Sequence, residues 1–144
     1  PAHLVEQLAR GKCLAVAGEH PGAVVLGCDT VVDVNGEVFG KPRDKEDAKR
    51  MLRALSGRTH EVHTGVCVSD GRRTESFVDS CEVAFFPLSE EEIDRYTATA
   101  EPYDKAGAYA IQGRAALWLD AIRGDYYTIM GLPLSRTVRL LEQF

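Results

Sequence analysis

The stretch Val24–Lys41, VVLGCDTVVDVNGEVFGK, decides the fold. Its β-branched apolar run is interrupted at the centre by Asp29 and Thr30, resumes at Val31-Val32, turns at Asn35-Gly36 and ends in Gly40-Lys41-Pro42. Asn-Gly between two strand-forming runs favours a two-residue type I′ turn, so residues 24–34 and 37–39 are predicted to pair as an antiparallel hairpin. The carboxylate inside that strand needs a reason, because burying an ionised carboxylate without a partner costs several kcal/mol. Asp29 is therefore expected to reach a cleft, with Lys41 at the end of the same hairpin as an opposite charge. The plainer alternative is an end-of-strand carboxylate bonding a neighbouring turn.

Working outward, residues 2–17 place Leu4, Leu8 and Ala15 near one helical face, which predicts an amphipathic helix stopped by His20-Pro21-Gly22. Downstream, Pro42 and Asp44 open a second helix. It carries acidic residues in its first turn, Lys49, Arg50 and Arg53 later, a buried stripe of Ala48, Met51, Leu52 and Leu55, and a stop at Ser56-Gly57. Residues 60–69 and 74–86 read as strands of a second hairpin turning at Asp70-Gly71. Ser89 and Glu92 have the spacing of a capping box, starting a helix through about Thr97. Residues 115–122 are apolar enough for another strand, and Pro133 precedes Leu134, Val138 and Leu141 at helical spacing in a closing helix. Helices interleaved with hairpins predict an α/β fold, a mixed, hairpin-containing twisted sheet flanked by helices.

A chain of 144 residues fits one domain, 1–144. No apolar run approaches the roughly 18 residues of a membrane span, so a soluble protein without membrane attachment is expected. Seventeen basic against 22 acidic residues give a net charge of −5, which argues against a nucleic-acid backbone as partner and leaves room for a nucleotide in a small basic pocket. Cys13, Cys28, Cys67 and Cys81 lack zinc-type spacing and read as free buried thiols of a reducing cytosol. The sequence begins on Pro1 rather than Met, so an N-terminal piece is expected upstream.

The chemistry falls to scattered side chains. His60 and His63 sit at an odd offset on one strand and should face opposite ways, which does not suit a shared metal. The glycines form no phosphate-cradling loop of standard spacing. Asp29 can serve as a general base or as a ligand to a divalent metal. Thr30 follows it on the other face of a regular strand, and a local backbone distortion would bring both into reach. Lys12 lies in the C-terminal half of the first helix, where a cation suits the macrodipole or is simply solvated, and Lys41 as an ammonium suits phosphate oxygens, beside a glycine that lets a ligand approach closely. Residues 101–113, EPYDKAGAYAIQG, hold no single period, as suits a loop lining a site. Within them Gln112 offers a donor and an acceptor for a base edge, or is a surface amide, and Asp104 and Lys105 could pair with each other.

Three blocks together, Cys28-Asp29-Thr30-Val31-Val32 with Gly40-Lys41-Pro42, Leu55–Thr64, and Asp104–Gly113, resemble the Maf family of nucleoside-triphosphate pyrophosphatases over nearly the whole chain. The resemblance implies a cytoplasmic, homodimeric hydrolase that uses Mg²⁺ or Mn²⁺ to release pyrophosphate from a nucleoside triphosphate. It implies Asp29 as proton acceptor and metal ligand, Lys12 and Lys41 on the phosphates, and Thr30 and Gln112 at positions tied to base preference. The Gly107–Gly113 segment resembles the members acting on dTTP, UTP and modified pyrimidine nucleotides, which implies removal of non-standard nucleotides. The family's Ser-Pro-Arg-Arg type motif, on an N-terminal strand and phosphate-binding turn, has no counterpart in this sequence. That departure keeps open a non-catalytic nucleotide-binding module regulating cell division or septum formation. A 7-methyl-GTP or purine-preferring enzyme is the other alternative.

Overall fold

The computed structural model describes all residues, Pro1–Phe144. Helix α1 (Ala2–Glu19) leads into β1 (Val25–Val34), β2 (Glu37–Phe39), α2 (Lys45–Leu55), β3 (Thr59–Ser69), β4 (Thr74–Phe85) and α3 (Glu90–Thr97). Short 3-10 turns follow, then β5 (Leu119–Arg123), α4 (Tyr126–Met130) and α5 (Leu134–Leu141). The five strands make one open antiparallel sheet, ordered β2-β1-β3-β4-β5 and flanked by helices, the hairpin-rich form of the expected α/β fold. No helix is long and apolar enough to cross a membrane.

The chain divides into two compact units, residues 1–30, 63–80 and 125–144 in the first and residues 31–62 and 81–124 in the second. In the first unit α1 lies on the sheet almost backbone to backbone. A Cβ added at Gly27 would stand 2.8 Å from the Cys13 nitrogen, and one at Gly65 would stand 2.5 Å from the Val5 carbonyl oxygen. Only a narrow helix face fits so close, and that face is Val5, Ala9 and Cys13, all fully buried. The predicted face of Leu4, Leu8 and Ala15 is instead exposed, Leu4 at 44% and Leu8 at 42%. An apolar stripe marks a core face only if the neighbouring element leaves room for it, and these glycines bring α1 too close for leucine. The helix runs to Glu19 and stops at His20, as its Pro-Gly sequel requires.

The closing helix forms after Pro133 as expected. Its buried residue is Thr137, whose hydroxyl donates back to the Pro133 carbonyl, while Leu134 and Val138 face outward. The short helix α4, which sequence periodicity does not reveal, is capped at its start by the Asp125 carboxylate accepting from the Tyr127 N–H. It ends at Gly131, which takes the left-handed φ of 112°.

In the second unit the Asn35-Gly36 turn has both residues at positive φ, 51° and 91°, as a type I′ turn demands. The register pairs Val32 with Phe39 and Val34 with Glu37. Helix α2 is capped by Asp44, and the Ser89–Glu92 capping box opens α3, each such cap stabilising its helix by about 1 kcal/mol. The predicted strand 115–122 is in fact a 3-10 turn over Arg114–Trp118 followed by β5. The Ala116 N–H donates to the Gly113 carbonyl, closing a turn that sets Trp118 against Phe85 and Tyr96.

His60 is buried in this aromatic cluster, edge-on to Phe85 and Tyr109, with its Nε2 2.7 Å from the Tyr109 hydroxyl. Its Nδ1 is buried without a partner. Burial pushes the imidazole from 6.5 down to about 4. The folded chain thus keeps His60 neutral while the unfolded chain protonates it below about pH 6.5, so stability is full above that pH and is lost as the pH falls towards 4. The loss is about 3 kcal/mol. Urea unfolding between pH 7 and pH 4 is expected to show this decline in the parent, and a flatter profile over the same window in His60→Gln.

Candidate active site

The close approach of α1 at Gly27 positions two side chains. Cys13 sits on that glycine, so its neighbour Lys12 projects beside β1, where Asp29 follows Gly27 on the same face two residues on. The Lys12 Nζ lies 2.9 Å from the Asp29 Oδ1 and donates a longer bond, 3.4 Å, to the Cys28 carbonyl. The lysine side chain is 59% exposed and the carboxylate 23%, so the pair is reachable from solvent. The Asp29 Oδ2 takes no hydrogen bond within the fold.

The four cysteines are free; Cys13, Cys67 and Cys81 are buried as expected. Cys28 departs from the core reading and is only half-buried, next in the chain to the partly exposed Asp29. Burial still pushes the Cys28 thiol up, with Lys12 opposing and Asp29 reinforcing the shift, so it is a poor nucleophile. Cys67, in the core beside Cys13, is pushed up to about 12 by burial.

Thr30 turns away from Lys12. Its Oγ1 lies 2.9 Å from the Oγ1 of Thr64, and Thr64 donates over 2.8 Å to the Thr128 carbonyl in α4. The Thr128 hydroxyl makes a short hydrogen bond to the Asp79 Oδ2, and Arg136 of α5 donates to the Asp79 Oδ1 at 2.8 Å. Sequence reasoning passed over Thr64, Asp79, Thr128 and Arg136, since threonines in strand-like runs read as ordinary β-formers.

Lys41 and Gln112 belong to the second unit, and both are exposed. The Lys41 segment is fixed on either side, because the Gly40 carbonyl accepts from the Gly107 N–H at 3.1 Å and the Arg43 N–H donates to the Asp47 carboxylate at 2.9 Å. That N–H, foremost, and the Arg50 side chain hold Asp47 below the usual carboxylate range. Gln112 follows Tyr109 and Ile111, both buried, and the Ala110 N–H donates to the Tyr96 hydroxyl, so the loop is tethered while the amide stays free of the core. Gly113 lies against Glu101, whose carboxylate leaves no room for a Cβ there. The expected Asp104–Lys105 pair forms at 3.5 Å. His60 and His63 take different partners, Tyr109 and Ser80. Asp33, Glu61 and Glu82 line a separate hollow of about 230 Å³ in the second unit.

A family model described as Maf-like protein matches residues 1–144. The dTTP/UTP pyrophosphatase of Bacillus cytotoxicus is 51% identical over 144 residues, covering all of this chain and 75% of its own length. A protein of the same name from Bacillus velezensis is 51% identical over all of this chain and 76% of itself. The Symbiobacterium thermophilum protein so named is 54% identical over all of this chain and 74% of itself.

Proposed function

Since the chain belongs to the Maf-like protein family, we propose that it is a nucleotide pyrophosphatase, hydrolysing dTTP and UTP to the monophosphate and pyrophosphate. The observation that carries this reading is the partly exposed Lys12–Asp29 pair in the first unit, in a chain half identical to relatives named for that activity.

The roles follow from the chemistry of the side chains. Hydrolysis to monophosphate and pyrophosphate needs a water oxygen to bond the α-phosphorus while the bond from that phosphorus to the bridging oxygen breaks. Asp29 accepts the proton the water loses, help worth about 10²–10⁴-fold. Its Oδ2, with no hydrogen bond in the fold, is the oxygen left for that task, since Oδ1 is taken by Lys12. Lys12, mostly exposed, and Lys41, on its tethered segment, neutralise charge on the phosphate oxygens. Thr30 and Gln112 meet the nucleoside.

A divalent cation of the Mg²⁺ or Mn²⁺ kind fits the donor set, since such ions take hard oxygens, keep several waters and need only one or two carboxylates besides the substrate's phosphates. Asp29 would hold it, serving then as ligand rather than as base. When bound it supplies neutralising charge and a more acidic water. A cytoplasmic homodimer acting in removal of non-standard nucleotides accompanies this proposal; the free thiols and the outward Leu134 and Val138 are what support it.

Pyrophosphate release from dTTP and UTP with Mg²⁺ or Mn²⁺ tests the reading. Release from both, well above that from 7-methyl-GTP or ITP, is the expected result. Nucleotide binding without release would replace it with a binding module.

A further inference from the structure

We propose that Glu101 is a positioning residue: through the backbone of Gly113 and Arg114 it fixes the turn that carries Gln112, and so tightens the hold on the nucleoside without touching it. This deepens the pyrophosphatase reading and rests on it for the role of Gln112.

Gln112 stands at a corner of a tight turn. The Gly113 N–H donates to the Ala110 carbonyl at 3.0 Å, which leaves Ile111 and Gln112 as the two central residues. Ile111 is buried, and Gln112 is exposed, with no hydrogen bond from its amide to the fold. Ile111 thus roots the turn, and Gln112 is the side chain it offers to a ligand.

Both ends of the turn are held by one small polar cluster. Before it, the Ala110 N–H donates to the Tyr96 hydroxyl at 3.1 Å. After it, the Arg114 N–H donates to the Glu101 Oε1 at 3.4 Å, and the same carboxylate fills the space that a side chain at 113 would need. Burial, and after it the Glu101 carboxylate, hold the Tyr96 phenol far above its ordinary range, so it stays a neutral hydroxyl. Glu101 is therefore felt at both anchors.

The arrangement costs stability. The Glu101 Oε2 is buried without a hydrogen bond, a penalty that an apolar side chain of similar size would avoid. What the carboxylate provides in return is order in the backbone that follows Gln112. A turn already fixed loses little freedom when its side chain closes on a ligand, so more of the contact energy appears as affinity. The Lys41 segment is tied instead to Gly107, ahead of the turn, so loosening residues 113 and 114 leaves it in place.

The test is the affinity for two ligands, by isothermal titration calorimetry with Mg²⁺. One is an α,β-imido analogue of dUTP, which carries a nucleoside and resists cleavage between the α and β phosphorus; the other is inorganic tripolyphosphate, which carries none. Glu101→Ala is expected to weaken the nucleotide about tenfold and to leave tripolyphosphate unchanged. Glu101→Gln, whose oxygen still accepts from Arg114, is expected to restore binding. In a Gln112→Ala background Glu101→Ala is expected to cost nothing further, because it acts through that side chain. Equal losses on both ligands, or additive losses in the double variant, would overturn the proposal. Should Glu101→Ala fail to fold, Gly113→Ala decides. Its methyl meets the Glu101 carboxylate, the end of a flexible side chain, and pushes it aside without disturbing the core. The same loss on the nucleotide alone is then expected, and an unchanged nucleotide affinity overturns the proposal. A parent that binds the analogue but releases no pyrophosphate from dTTP overturns the pyrophosphatase reading, and these affinities still decide the role of Glu101; a parent that binds neither ligand overturns both.

Discussion

Asp29→Asn is expected to lower kcat on dTTP by about 10²–10⁴-fold, with little change in melting temperature. The two readouts separate because the carboxylate's contribution to folding is small. Its partner Lys12 is mostly exposed, and a solvent-screened ion pair of that kind contributes from nothing to about 1 kcal/mol. The amide keeps the shape and a hydrogen-bonding oxygen for Lys12, but it takes no proton from water and is a poor ligand for a hard cation. Steady-state pyrophosphate release alongside thermal unfolding measures both. Turnover near that of the parent would remove Asp29 from the chemistry, and a large fall in melting temperature would recast it as a structural carboxylate.

Gly65→Ala is expected to destabilise the first unit by about 3 kcal/mol, roughly 10 °C in melting temperature for a chain of this size. The added methyl would stand 2.5 Å from the Val5 carbonyl oxygen, 2.8 Å from its carbon and 3.0 Å from the Glu6 Cα. All three are backbone atoms, so no rotamer change relieves the clash and α1 itself must lift off the sheet. Lifting it separates Lys12 from Asp29, so activity is expected to fall further than stability alone explains. Gly11→Ala on the same helix is the control. Nothing lies within 4 Å of its added methyl, and replacing a mid-helix glycine is expected to raise stability by about 0.5–1 kcal/mol. Differential scanning calorimetry of the two variants checks the opposite signs.

These glycines also mark where the sequence could be read and where it could not. Local chemistry was legible. Asn35-Gly36, the Asp44 cap and the Ser89–Glu92 box each specify their turn or helix end within a few residues, and each is present. The buried face of α1 was not, because periodicity reports that a helix has an apolar stripe and says nothing of how near its neighbour comes. Isolated glycines within β-branched strands, Gly27 in VVLGC and Gly65 in VHTGV, were the available sign of a close backbone approach. Asp29 and Lys12 could each be singled out alone, and their meeting depends on that approach. The hydroxyl chain is assembled from residues 30, 64, 79, 128 and 136, a spread that no local pattern connects.

The backbone seating of α1 has a further consequence, for motion. A helix that rests on its sheet through long side chains can rock as rotamers exchange in picoseconds to nanoseconds. One that rests on two glycines has no such cushion, so it moves with its strands or detaches with the loss of its buried contacts. The backbones that carry Lys12 and Asp29 therefore move together or not at all.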